Sequence, residues 1–151
     1  MGTVSASVVI GAPLAEVWDY YFRPEGWPEW VDQFSRVEAS DGYPEEGGTL
    51  RWGSGTAGRG TVEERVLEHD PRSRHHIAFS DPESAGELEV TFAIEPGAEP
   101  PGTRVAQTMR YEISGGGPLS GLTDLLFVRS QVRRSLERSL ARLRAEVEAS
   151  V

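Results

Sequence analysis

The longest regular pattern of apolar residues lies at the C-terminal end of the chain, in residues 118–147. Its members are Leu122, Leu125, Leu126, Val132, Leu136, Leu140, Leu143 and Val147. Most of these residues are three or four positions apart or at sums of those steps, which places them on one face of an α-helix. At about 1.5 Å per residue the helix would be roughly 45 Å long. A helix of that length needs a long apolar surface to pack against.

Arg129 falls inside this apolar stripe, near about 340° on a helical wheel that has Leu122 at zero. A guanidinium is costly to place in an apolar face unless it is paired or hydrated. Two interpretations follow from the sequence. Arg129 either pairs with a buried carboxylate such as Glu64, or it lines a polar cavity and stabilises a ligand there.

Alternation of apolar and polar residues predicts strands in most of the chain before this helix. They are expected at 3–10, 34–40, 49–53, 60–68, 74–80, 87–95 and 103–114. Turn signals such as Asp41-Gly42 and Asp70-Pro71 separate them. The clean alternation in 87–95 and 103–114 indicates an antiparallel sheet with one covered and one hydrated face. Two short helices, 12–21 and 27–31, are predicted after the first strand.

Several short motifs accompany this order of elements. They are Ala12-Pro13, Val17-Trp18, Trp27-Pro28-Glu29-Trp30, Gly102-Thr103-Arg104-Val105 and the spacing of Leu136, Leu140 and Leu143. Together they resemble the helix-grip fold of the START-like superfamily (SRPBCC), particularly its polyketide cyclase/dehydrase branch, over essentially the whole chain. The resemblance implies one α+β domain, residues 1–151, in which a curved seven-stranded antiparallel sheet wraps around the long C-terminal helix. It also implies a cavity between sheet and helix, and binding of lipids, sterols, polyketides or hormones.

Composition limits the chemistry that the chain can perform. There is no cysteine, which removes disulfides, thiolate metal sites and cysteine nucleophiles. All fifteen basic residues are arginine, a bias that fits a GC-rich bacterial genome. The net charge of −9 argues against nucleic acid as a partner. No signal peptide or membrane span is visible, so a cytoplasmic protein is predicted. A homodimer is left open.

Two motifs suggest cofactor or metal sites but have simpler interpretations. Residues 53–58 spell G-x-G-x-x-G, yet a strand pattern follows them where a dinucleotide site needs a helix. We therefore predict a hairpin loop and no nucleotide cofactor. His75 and His76 are adjacent on a strand and point to opposite faces, so no metal site is predicted.

The arginine-rich face of the last helix is interpreted as solvated, with local ion pairs.

Polar residues on the predicted inner faces are the candidate site. Glu64, His75 and Gln107 fall in apolar strand faces, as Arg129 does in the helix, and buried polar groups need partners. The predicted apolar contacts of a ligand are Trp18, Trp30, Trp52, Phe79, Met109, Tyr111 and Leu126. These residues predict a binding protein for a small hydrophobic, partly oxygenated molecule.

The alternative is a cyclase or dehydratase that uses the same cavity. His75 or Glu64 would then be the general base, Tyr111 a possible acid and Arg129 the group that stabilises an enolate. A protein that regulates or interacts with partners without a ligand is the third class left open.

Overall fold

The computed structural model describes residues 1–55, 60–113 and 122–150, with side chains in the last range from Phe127 onward. Its helices are α1 (Leu14–Tyr21), α2 (Trp27–Trp30) and α3 (Leu122–Ser150), and a 3₁₀ turn (Pro24–Gly26) leads into α2. Its strands are β1 (Gly2–Ile10), β2 (Phe34–Asp41), β3 (Thr49–Ser54), β4 (Thr61–Asp70), β5 (Arg74–Ser80), β6 (Ser84–Glu95) and β7 (Gly102–Ile113). The start predicted for the last helix, at Pro118, lies outside the described residues.

The strands form one seven-stranded antiparallel sheet in the order β1-β7-β6-β5-β4-β3-β2. The predicted architecture is confirmed, and β5 has the predicted bounds. The β6 strand begins earlier than expected, so Gly86 lies within it although a turn was predicted there. A Cβ atom on Gly86 would fall 1.9 Å from the carbonyl oxygen of Arg110, so this strand pair leaves room only for glycine. Register shifts between β2 and β3 and between β4 and β5 mark bulges, which bend the strands.

Among the described side chains of α3, from Phe127 onward, the fully buried apolar ones lie in the C-terminal half of the helix. Its buried residues there are Leu136, Leu140, Leu143 and Val147, at the predicted helical spacing. Each contributes roughly 1.5–3 kcal/mol by leaving water. Nearer the start of the helix, Val128 and Val132 are half-buried and Phe127 is 60% exposed. Among the described helices, none combines the length and the apolar character that a membrane crossing requires.

The ends of two interior strands, β6 and β7, show the same limit of coverage. Alternation placed Ile94 and Ile113 on the inner face of β6 and β7, but they are 62% and 45% exposed. Both residues stand near strand ends, whereas Val90 and Val105 in the middle of these strands are fully buried. The alternation therefore identifies the inward-facing residues correctly, but it does not show how far along each strand that face is covered.

Hydrogen bonds join the short helices to each other and to α3. The indole N–H of Trp27 donates to the carbonyl oxygen of Tyr21 at 2.8 Å, which satisfies an acceptor at the end of α1. Beyond β1, the backbone N–H of Gly11 donates to Oε2 of Glu148 at 2.8 Å. This hydrogen bond from Gly11 is the main reason why the pKa of Glu148 is lowered. The C-terminal end of α3 is thus fixed to the β1–α1 turn.

Asp32, which follows α2, holds the middle of α3. Its carboxylate accepts hydrogen bonds from Ser135 at 2.7 Å, from Arg138 at 3.0 and 3.2 Å and from Arg142 at 3.3 Å. Its backbone N–H donates to Oγ of Ser139 at 2.9 Å. We call this set the Asp32 clasp. Burial alone would raise the pKa of Asp32, but the bonds from Arg138 and Ser135 and the two guanidinium charges lower it overall.

The clasp corrects the interpretation of the arginine-rich helix face. An ion pair within the helix does exist, between Arg144 and Glu148 at 3.1 Å. Arg138 and Arg142, however, bind a carboxylate more than a hundred positions earlier in the chain. Spacing within a helix cannot reveal such a partner.

The clasp predicts a stability effect that depends on pH. Asp32→Asn should lower the free energy of unfolding by about 2 kcal/mol at pH 7, since hydrogen bonds to charged groups contribute roughly 1.5–3 kcal/mol and the arginines remain partly hydrated. The folded-state pKa of Asp32 is depressed, so this stability is present above the unfolded pKa of about 3.9 and is lost as pH falls through the lower folded value.

Urea denaturation at pH 7 and at pH 3 measures this effect. The difference between wild type and Asp32→Asn should be smaller at pH 3. Asp19→Asn is the matched control, because Asp19 is exposed on α1. Equal stability of wild type and Asp32→Asn at pH 7 would show that the clasp does not hold α3.

Candidate functional site

A cavity of about 120 Å³ lies between the sheet and the helices. We call it the inner chamber. Strands β3 to β7 form its floor, and α2, the segment after α2 and the middle of α3 cover it. Its aromatic wall residues are Tyr21, Trp27, Trp30, Phe34, Tyr43, Trp52 and Phe79. A void of roughly 150 Å³ holds a benzene molecule in an engineered protein, so this chamber has the scale of a single ring.

Trp52 and Glu64 form one polar contact in the chamber wall. Leu50 on β3 lies directly opposite Glu64 on β4, so Trp52 is the diagonal neighbour of Glu64 on the same face. The indole N–H of Trp52 donates to Oε2 of Glu64 at 2.8 Å, and Phe34 stacks on the Trp52 ring at 5.4 Å. The carboxylate therefore sits at the chamber with its position fixed by a neighbouring ring.

His75 lies buried at the chamber with contacts at both ring nitrogens. Its Nε2 is 3.2 Å from the Tyr43 hydroxyl, and its Nδ1 is 3.0 Å from Nδ1 of His69, its cross-strand neighbour. Burial, and then the nearby His69 and His76, lower the pKa of His75 to about 3. The imidazole is therefore neutral at neutral pH. His76 points to the opposite face, 3.1 Å from Glu87, as the pleat predicts.

Gln107 and Trp30 line the chamber, and each has one buried polar atom without a hydrogen-bond partner among the described residues. The side-chain amide of Gln107 donates to the Tyr21 hydroxyl at 3.0 Å, and the Tyr21 and Trp30 rings are in contact at 4.8 Å. Gln107 Oε1 and Trp30 Nε1 are buried and have no hydrogen-bond partner in the part of the chain that the structure describes. Burial raises the pKa of Tyr21, so its hydroxyl stays protonated.

Seven of the predicted ligand contacts line the inner chamber. They are Trp30, Trp52, Glu64, His75, Phe79, Gln107 and Met109. Trp18 does not line it: its ring packs against Phe22, His69 and Phe92 in the core beneath α1. Leu126 belongs to α3, but its side chain lies outside the described ones.

Tyr111 lines a second cavity, of about 440 Å³, between the early part of α3 and the β6–β7 pair. We call it the outer cavity. It shares Phe79, Met109, Ser135 and Leu136 with the inner chamber, so the two are neighbours across these side chains. Burial raises the pKa of Tyr111, and the charge of Arg129 acts in the opposite direction.

Arg129 does not occupy the position that the helical wheel predicted. Its side chain is exposed, and it lines neither cavity. The helical wheel places Arg129 on the same face as the buried leucines, but this part of α3 is only partly covered by the rest of the fold. Arg129 is therefore not a buried partner for Glu64, whose carboxylate accepts the Trp52 bond on the sheet. A role for Arg129 in stabilising an enolate in the inner chamber loses its geometric basis.

Sequence reasoning missed several groups at the chamber. Asp32, Ser135 and Ser139 line it as part of the clasp, and Tyr43 reaches it from the connection between β2 and β3. A single polar residue in a loop gives no periodic signal, so Tyr43 could not be found. Ser139 lies three positions after Leu136 and four before Leu143, and Ser135 lies three after Val132, so the helical period could have indicated both.

The comparisons with known proteins assign this fold to a family. A family model described as polyketide cyclase/dehydrase and lipid transport matches residues 1–148. The chain belongs to this family. No curated protein matches the sequence.

Solved structures share the fold of this family member over nearly the full length. A Zhui aromatase/cyclase from Streptomyces sp. R1128 has a TM-score of 0.76 at 18% identity, covering 97% of this chain and 93% of that one. A START superfamily protein from Mycobacterium smegmatis has a TM-score of 0.74 at 15% identity, covering 99% of each chain. The protein TTHA0849 from Thermus thermophilus has a TM-score of 0.71 at 25% identity, covering 99% of each.

The buried His75 predicts a loss of stability in weak acid. Its pKa is about 3 when folded and about 6.5 when unfolded. As pH falls below 6.5, the unfolded chain binds the proton first, so the free energy of unfolding decreases from there downward. Urea denaturation at pH 7 and pH 5 should show this decrease in wild type and a smaller one in His75→Gln. His76→Gln should retain most of the wild-type decrease, because burial is the largest cause of the low His75 pKa. An unchanged decrease in His75→Gln would contradict the assignment.

Proposed function

We propose that this family member binds a small, hydrophobic, partly oxygenated molecule in the inner chamber. The single observation that carries the proposal is a chamber of about 120 Å³ whose wall is mainly aromatic and apolar and also contains the polar residues Glu64, His75 and Gln107. Such a wall suits a ligand that is mostly apolar, with a few polar side chains to orient its oxygen atoms. The family description, which includes lipid transport, is consistent with this function.

The state of the titratable groups favours binding over the cyclase or dehydratase alternative. A general base works best with a pKa near the working pH, and His75, with a pKa of about 3, is far below it. Its two nitrogens already contact Tyr43 and His69. Glu64 is engaged by Trp52, and Tyr111 faces the outer cavity. These contacts hold the side chains of His75 and Glu64 in place, as suits groups that orient a ligand.

The net charge of the protein also favours a small molecule over nucleic acid as its partner. At −9 the protein repels the phosphate backbone of nucleic acids, whereas an uncharged small molecule is unaffected. The ligand is therefore proposed to be a small molecule.

Filling the chamber should abolish binding without changing the surface. Val62 is buried on the floor of the chamber, so the added ring of Val62→Phe would occupy the space. We expect this variant to bind benzyl alcohol, an uncharged ring with one hydroxyl, at least about tenfold more weakly than wild type. Titration calorimetry measures the affinity. Overpacking costs about 1–3 kcal/mol, so thermal denaturation is needed to confirm that the variant is folded.

Ile94→Phe is the matched control, since it adds a ring to the same sheet at a position that is 62% exposed. It should bind benzyl alcohol as wild type does. If wild type does not bind, or if folded Val62→Phe binds equally well, the inner chamber is not the ligand site. Native mass spectrometry of protein purified from its own host then tests for a co-purified ligand.

A further inference from the structure

We propose that His69, which does not itself line the inner chamber, controls the direction of the hydrogen bond between His75 and Tyr43 in the chamber wall. When His69 gains a proton, the tautomer of His75 changes and the bond to Tyr43 reverses. His69 is then a positioning residue, because it acts on the chamber only through His75. The inference goes beyond the proposed function, since it concerns the wall and requires no ligand.

The contact between the two histidines contains one hydrogen. Their Nδ1 atoms are 3.0 Å apart, and such a contact is favourable only when one nitrogen carries a hydrogen and the other presents a lone pair. Two lone pairs would repel each other, and two N–H groups would clash. While both rings are neutral, they are therefore opposite tautomers, one protonated at Nδ1 and the other at Nε2.

Aromatic packing holds the two imidazoles in this geometry. The ring of Phe22 lies against both of them, with centroid distances of 5.2 Å to His69 and 4.8 Å to His75. Trp18 contacts the His69 ring at 5.1 Å, and Tyr43 contacts the His75 ring at 5.6 Å. His75 is only 2% exposed, so its two nitrogens depend on the bonds to His69 and Tyr43.

The Tyr43 hydroxyl determines which tautomers the neutral pair adopts. Tyr43 is half-buried as a residue, but its hydroxyl is enclosed, and this burial raises its pKa well above the usual 10. Among the described residues, Nε2 of His75 at 3.2 Å is the only hydrogen-bond partner of this hydroxyl. An enclosed hydroxyl hydrogen needs an acceptor, so Tyr43 donates to Nε2 of His75. His75 then carries its hydrogen on Nδ1 and donates to His69, whose own hydrogen is on Nε2.

A proton taken up by the pair reverses this order. A charged His69 has N–H groups on both nitrogens and can only donate to His75. The hydrogen between the two Nδ1 atoms therefore passes from His75 to His69, and the proton from solvent ends on Nε2 of His75. Nε2–H now donates to the Tyr43 oxygen, and the hydroxyl hydrogen of Tyr43 has no acceptor among the described residues.

The groups around the pair place the reversal in weak acid. Burial lowers the pKa of His69 from 6.5, against the opposing charges of Glu45, between β2 and β3, and Asp70 on β4. His75, with a pKa of about 3, stays neutral while His69 titrates. The other titratable groups that act on this chain of bonds are His76, beside His75, and Glu64 and Tyr21, beside Tyr43.

Long-range ¹H–¹⁵N NMR of the ¹⁵N-labelled protein reads the tautomer and charge of each histidine in the folded state. At pH 8, we expect His75 to carry its hydrogen on Nδ1 and His69 on Nε2. As pH falls to 5, His69 should become charged. His75 should change to the Nε2–H tautomer with the same midpoint while it stays neutral. A His75 tautomer that does not change across this range would overturn the inference.

Two variants separate this role from packing. His69→Asn keeps a hydrogen-bonding side chain that cannot titrate, so His75 should stay in its Nδ1–H tautomer from pH 8 to pH 5. In Tyr43→Phe, no hydroxyl hydrogen loses its acceptor when His69 is charged. The midpoint of His69 should therefore rise by about one pH unit, which corresponds to one net hydrogen bond.

Tyr20→Phe is the matched control for Tyr43→Phe, because it removes a hydroxyl from α1 that has no contact with the two histidines. It should leave the His69 midpoint unchanged. A tautomer change of His75 in His69→Asn, or a wild-type midpoint in Tyr43→Phe, would show that the three side chains are not coupled and would overturn the inference. The wild-type titration and Tyr43→Phe keep the test decisive if His69→Asn does not fold.

Discussion

The position of α3 over the open sheet depends on the Asp32 clasp. The four buried apolar residues of α3 supply most of the packing energy, roughly 1.5–3 kcal/mol each, but such contacts are non-directional. They do not fix the rotation of the helix or its height above the strands. A carboxylate with a side chain only 7% exposed, bonded to a serine and two arginines of α3, fixes both. Glu148 then holds the C-terminal end at Gly11.

The inner chamber is a consequence of this position of α3. Asp32, Ser135 and Ser139 line it, so the groups that hold the helix also form its cover. Among the described side chains of α3, Val128 and Val132, which precede the clasp, are less buried than Leu136. The outer cavity lies there. Residues of the clasp therefore line both cavities: Asp32, Ser135 and Ser139 the inner chamber, and Ser135 and Arg138 the outer cavity.

Regular patterns in the sequence predicted the elements and the antiparallel sheet, and the resemblance to the helix-grip fold supplied their arrangement. The alternation in β6 and β7 and the spacing of Leu136, Leu140 and Leu143 each report burial directly, because one face of an element must leave water. The site was predictable where it shares that pattern: Glu64, His75 and Gln107 are polar residues at inward positions of strands, and the structure places all three at the inner chamber.

Other parts of the site were not predictable, for a physical reason. Arg129 lies on the same face of the helical wheel as the buried leucines. The wheel does not show, however, how far along the helix other elements cover that face. Asp32 and Tyr43 act through contacts with residues distant in sequence, and they lie outside any periodic element. The pairing of Arg138 with Asp32 needed the complete fold, since the two positions are brought together only when α3 is in place.

The family shares its fold with proteins whose names indicate different activities, so function must be argued from the groups inside the chamber. Here most inward polar groups bond to one another: Trp52 to Glu64, Tyr43 and His69 to His75, Gln107 to Tyr21. A group that is already bonded, and whose pKa lies far from neutrality, contributes orientation and dielectric environment rather than proton transfer. Trp30 and Gln107 each keep one buried polar atom without a partner among the described residues, so the hydrogen bonds within the wall do not satisfy all of its polar groups.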